Sequence, residues 1–92
     1  MRPIHPGEVL REEYLLPLDM SANRLAASLH VPANRISAIV NGERNVTADT
    51  ALRLAKFFGT TPEFWLNLQQ AFELRTAEAG TDLRTIRALK VG

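Results

Sequence analysis

The stretch SANRLAASLHVPANRISAIVNG, residues 21–42, decides the fold. It opens on Ser21, a residue type that starts a helix by accepting a backbone N–H from its first turn. Arg24 stands where a capping box would place an acid. Leu25, Ala26 and Leu29 then mark one buried side, and this helix ends around His30. A new helix starts at Pro32, where the missing N–H costs nothing, and carries Ile36, Ile39 and Val40 inward. Asn41-Gly42 is a strong stop, because Gly adopts a left-handed backbone freely. Only about three residues separate the two helices, which predicts a tight helix–turn–helix corner over residues 21–41.

Working outward, the same punctuation recurs and no alternating strand pattern is present. A first helix runs from Pro6-Gly7-Glu8 through Val9, Leu10, Tyr14 and Leu15 to Pro17, which ends it. A fourth opens at Thr47 and carries Ala51, Leu52, Leu54, Ala55 and Phe58 to Gly59. Thr61-Pro62-Glu63 starts a fifth, PEFWLNLQQAFELRTAEA, with Trp65, Leu68 and Phe72 at i, i+3 and i+7 and Gly80 at its close. Trp65 is read as core, with a place in a dimer interface as the alternative for this helix. The predicted fold is all-α: five helices over residues 1–80, followed by a short C-terminal tail, 81–92. In the tail Leu83, Ile86 and Leu89 repeat every third residue with arginines between, as a short helix or an extended arm.

The chain has 92 residues, 46% of them hydrophobic, which suits one small globular domain. It contains no cysteine, so disulfides, thiolate zinc sites and thiol nucleophiles are excluded. A small fold without such staples gains from pairing with a second copy. No apolar run is long enough to cross a bilayer and no signal peptide is evident, so a cytoplasmic protein without membrane contact is expected. The net charge is only +1. Its distribution says more: Arg24, Arg35, Arg44, Arg53 and Lys56 face only Glu43 and Asp49 in the middle of the chain. A basic centre on a near-neutral chain fits an anionic partner met locally.

The third helix has the composition of a base-reading helix. Its inner face is apolar. Its outer face combines small Ala33 and Ala38, which permit close approach, with Asn34, Arg35, Ser37 and Asn41, which offer directional hydrogen bonds. Asn can pair bidentately with adenine and Arg with guanine in the major groove. Ser21 and Asn23, at the start of the second helix, lie where free N–H groups favour a phosphate. Arg44 and Asn45 follow the third helix, where the chain would track the DNA backbone. A merely solvated helical corner has the same spacing, so the corner alone leaves DNA binding and protein binding both open. No catalytic set is present: Glu12 and Glu13 are neighbours pointing about 100° apart on a helix. His5 and His30 lack the partners of a metal site, and no cofactor or small-molecule ligand is expected.

SANRLAASLHVPANRISAIVNGERNVTADTALRLAKFFGTTPEFWLNLQ resembles the Xre-type, lambda-repressor-like helix–turn–helix class. Within it, HPGEVLREEYL and TPEFWLNLQ resemble the HigA-type antitoxins of toxin–antitoxin modules, and the match covers essentially the whole chain. The resemblance implies a homodimer that binds a palindromic operator in double-stranded DNA upstream of its own operon. It also implies neutralisation of a HigB-type toxin, a ribosome-dependent mRNA endonuclease. Carried onto this sequence, base-reading positions fall on Pro32, Ala33, Asn34, Arg35, Ser37 and Ala38. Backbone-contacting positions fall on Ser21, Asn23, Asn41, Arg44 and Asn45. Relatives often carry Gln or Thr where this chain has Pro32-Ala33, so Asn34 and Arg35 bear more of the specificity. Two alternatives stay open: a repressor of another regulon without a toxin partner, and an adaptor whose helical corner binds protein.

Overall fold

The structure, a computed structural model, describes residues 2–90. Among the described residues there are helices and no strands. Helix α1 (Pro6–Val9) continues directly into a π-helical segment, Leu10–Leu15. It is followed by α2 (Ala22–Leu29), α3 (Ala33–Val40), α4 (Ala48–Phe58) and α5 (Pro62–Gly80).

The predicted punctuation accounts for most boundaries. Ser21, Thr47 and Thr61 each stand in extended backbone, and their hydroxyls accept from the N–H of Arg24, Thr50 and Phe64. Each removes one orphan donor from a helix start. His5 does the same for α1, its Nδ1 accepting from the Gly7 N–H at 2.9 Å. Gly42 and Gly59 take positive φ after α3 and α4. His30 takes it after α2 without being glycine, at φ 59°. The chain after α3 closes with Glu43 N–H to Ala38 C=O and Gly42 N–H to Ile39 C=O. That pair of bonds is a Schellman motif.

Three details depart from expectation, at Pro32, before Pro17 and at Leu52, while the tail takes the extended one of its two expected forms. Pro32 is the N-cap residue and α3 begins at Ala33. Proline's own ψ of 144° is extended, so the ring ends the turn instead of entering the helix. The first helix widens before Pro17, with Leu16 N–H bonding to Arg11 C=O five residues back. Pro17 supplies no donor to continue the ladder, and the chain turns through Asp19 at φ 51°. Leu52, on the apolar list for α4, is 58% exposed. The tail, 81–90, is extended and exposed with one turn, Ile86 N–H to Leu83 C=O.

The core gathers Leu10 and Leu15, Leu25 and Leu29, Ile36 and Ile39, Leu54 and Trp65 from all five helices. Trp65 is fully buried as expected. It stacks at tilted angles on Tyr14 (5.2 Å) and edge-on to Phe64 (5.0 Å), while its Nε1–H donates to the Thr60 hydroxyl at 2.8 Å. Its polar atom is thus satisfied inside an aromatic cluster. No helix of the described residues is long and apolar enough to cross a membrane.

Candidate nucleic-acid interface

The corner itself is well braced. α2 and α3 pack directly on one another, with Leu25, Ala26 and Leu29 of α2 and Ile36 and Ile39 of α3 all buried. α1 crosses α3 so closely that a Cβ on Gly7 would overlap the Ile39 carbonyl oxygen. The attitude of α3 is therefore fixed from two sides, by α2 and by the backbone of α1.

On the outer face, Pro32, Ala33 and Asn34 are exposed, while Ser37 and Ala38 are half-buried. The Ser37 hydroxyl donates to the Asn34 carbonyl at 3.4 Å. No side chain caps the first turn of α3, so its leading N–H groups stay open to water or an anion. Ser21 and Asn23 are exposed at the start of α2, although the Ser21 hydroxyl is engaged in capping. Asn41, Arg44 and Asn45 are exposed beyond the end of α3. Of the eleven predicted positions, Arg35 differs most from a free reader. Its side chain is 25% exposed and its guanidinium is bound to Asp49 at 2.7 Å.

Asp49 was not among the predicted site residues, yet it organises this flank. It accepts from Arg53 at 3.0 Å as well as from Arg35. Arg53 and Arg35 together hold its carboxyl below the usual carboxylate range, chiefly through those hydrogen bonds. Arg53 also donates to the Leu29 carbonyl at the end of α2, at 2.9 Å. One acid thus ties the outer face of α3 to α4 and, through Arg53, to α2.

Gln69 and Glu73 support the segment after α3. Gln69 on α5 is buried, and its Oε1 accepts from the Val46 N–H at 2.8 Å. Its Nε2 donates to Glu73, which also accepts from Asn45 Nδ2 at 3.5 Å. His5 packs edge-on against Phe72 at 4.8 Å. Its Nε2 is buried without a closed hydrogen bond. Burial pushes its pKa down, and the Arg44 backbone pulls weakly the other way. The sequence signal for Gln69 was its position, four residues after Trp65 and three before Phe72, on the stripe that faces the core. A polar residue on that stripe implies a buried partner. Asp49 carried the first-turn and i,i+4 signals toward Arg53, but its contact with Arg35 depends on how α3 and α4 meet.

With this geometry in place the class is defined: the chain belongs to the helix-turn-helix family, whose model matches residues 10–65. Within that family it is of the Xre type and similar to HigA antitoxins. A HigA-family addiction module antidote protein from Coxiella burnetii is 56% identical with a TM-score of 0.89, over 98% of this chain and 100% of that one. The Pseudomonas aeruginosa antitoxin HigA, solved with the higBA promoter, is 47% identical with a TM-score of 0.83, over 85% of each chain. Among curated proteins, "Virulence-associated protein I" of Dichelobacter nodosus is 55% identical over 85% of this chain and 72% of its own length.

Proposed function

We propose that this chain is the antitoxin of a type II toxin–antitoxin module and represses its own operon as a homodimer. The observation that carries the DNA half is the outer face of α3: exposed Asn34 beside small Ala33, on a helix whose position two other helices fix. A slim, polar, rigidly held helix is what the major groove admits. Asn34 is the principal base reader in this reading. Ser37 and the edges of Ala33 and Ala38 contact bases by fit, and Pro32 starts the approach. Arg35, tied to Asp49, meets the duplex from a fixed position. Ser21, Asn23, Asn41, Arg44 and Asn45 hold phosphates. Two copies would set their α3 helices about 34 Å apart, one turn of B-DNA, and so read a palindrome.

The toxin half rests on family membership and the likeness to HigA antitoxins. The partner is a HigB-type mRNA endonuclease, held inactive in the complex. No catalysis or cofactor enters this function. Affinity for the operator falls as salt rises, because phosphate contacts release counterions.

Binding to the gene's own upstream region, against a shuffled duplex, tests the DNA half. Asn34→Ala is expected to cost about 1–3 kcal/mol on the operator alone and relax preference at one base pair. Arg44→Ala is expected to weaken all duplexes alike and flatten the salt slope by about one. Equal affinity for operator and shuffled DNA would remove the repressor reading. Co-expression with the product of the adjoining gene tests the toxin half: growth arrest that this chain does not relieve leaves only a repressor.

A further inference from the structure

The segment carrying Arg44 and Asn45 is a short bridge pinned at both ends. At one end the Schellman closure fixes it to α3, with Glu43 N–H on Ala38 C=O at 2.8 Å. At the other end Val46 is buried and its N–H is held by Gln69 Oε1, also at 2.8 Å. The first pin belongs to the reading helix itself. The second comes from α5, twenty-three residues further along the chain. Gln69 is only 5% exposed, so a buried side chain sets where this bridge stands. Its amide nitrogen is held by Glu73, and the same Glu73 oxygen takes Asn45 Nδ2. From α5, the Gln69–Glu73 pair thus fixes the backbone of Val46 and the side chain of Asn45.

We infer that Gln69 is a positioning residue for DNA binding, acting through the Arg44–Asn45 bridge, with Glu73 as its outer support. It touches no DNA. It keeps the bridge from sagging away from the phosphates, and it places α5 in the same hydrogen-bonded unit as the DNA-facing segment. This rests on the proposed DNA-binding function and adds a residue that the reading face does not contain. The physical ground is that a buried N–H without a partner is costly, so without Gln69 the Val46 N–H would turn toward water and carry the bridge with it.

Binding to the upstream duplex is measured by fluorescence anisotropy across a salt series, at a temperature where circular dichroism shows each variant folded. Gln69→Met keeps length and volume but removes the acceptor. It is expected to bind about three- to tenfold more weakly, with a salt slope shallower by up to about one, the signature of a lost phosphate contact. A role confined to stability would leave that slope unchanged in the folded variant. The exposed position Glu73 supplies a second comparison that does not threaten folding. Glu73→Gln and Glu73→Ala remove the same charge, but only the alanine removes the acceptor for Asn45 and Gln69. The alanine variant is expected to bind more weakly than the glutamine variant. Equal binding by those two, or an unchanged slope in folded Gln69→Met, overturns the inference while leaving the DNA-binding reading intact. A wild-type chain that binds no duplex overturns both.

Discussion

At Gly7 the absence of a side chain lets α1 lie directly on the end of α3, because any Cβ would collide with the Ile39 carbonyl. The clash is with backbone, which cannot rotate away. Gly7→Ala is expected to destabilise the fold by about 1–3 kcal/mol in a urea titration, the usual range for overpacking. It is also expected to weaken operator binding in whatever fraction stays folded, since α3 must shift. A variant as stable as wild type would show that α1 can slide. His5, two residues earlier, titrates in a different way. Burial lowers its pKa in the folded state, so the unfolded chain binds the proton more readily as pH falls through the ordinary histidine value, about 6.5. Stability from this group is present above that pH and lost below it. Protonation also removes the Nδ1 lone pair that caps Gly7. The expected result is a melting temperature that drops between about pH 7 and pH 5, and a flatter profile in His5→Asn, which can still cap. A profile of equal steepness in that variant would assign the drop to other groups.

Among the helices, the contact between α3 and α4 carries the charge balance of the proposed DNA-binding face. Asp49 pairs with Arg35 and Arg53 at once and offsets one of their two positive charges. Asp49→Asn is expected to strengthen binding to duplexes of any sequence and steepen the salt slope by about one, because a cation is released to the phosphates. If affinity instead falls only on the operator, Asp49 holds Arg35 in its base-reading pose. The exposed ion pairs themselves contribute little to stability. This contact also marks how far the sequence could be read. Ser21, Thr47, Gly42 and Gly59 announced the helix ends because capping is local chemistry. Ile36, Ile39 and Trp65 announced the core because periodicity is local too. Gly7 against Ile39, Arg35 against Asp49 and Gln69 against Val46 join residues distant in sequence, and their meeting depends on how helices cross. The π-helical widening at Leu10–Leu15 is intermediate: Pro17 foretold the end of the helix but not the change of ladder before it. The same limit applies to Leu52, whose apolar character fitted the α4 stripe although no other helix buries it.

Across the molecule as a whole, the described chain measures 54 × 25 × 22 Å, an elongated body for a chain of this length. The second half of α5 and the tail contribute little to the core: from Glu73 to Lys90 every residue is exposed. Leu83, Ile86 and Leu89 are 59%, 68% and 87% exposed, so the apolar repeat of the tail gains nothing within its own chain. The dependence of unfolding free energy on urea scales with the surface exposed on unfolding. Truncation after Gly80 is therefore expected to leave that slope unchanged, because residues 81–90 bury almost nothing. A reduced slope would mean that the tail packs. Protein concentration supplies the second variable. If the tail joins two copies, the unfolding midpoint of the full chain rises with concentration and that of the truncated chain does not, since association stabilises by mass action. If the midpoints of both rise together, the dimer lies elsewhere on the helices and the tail is left for another partner.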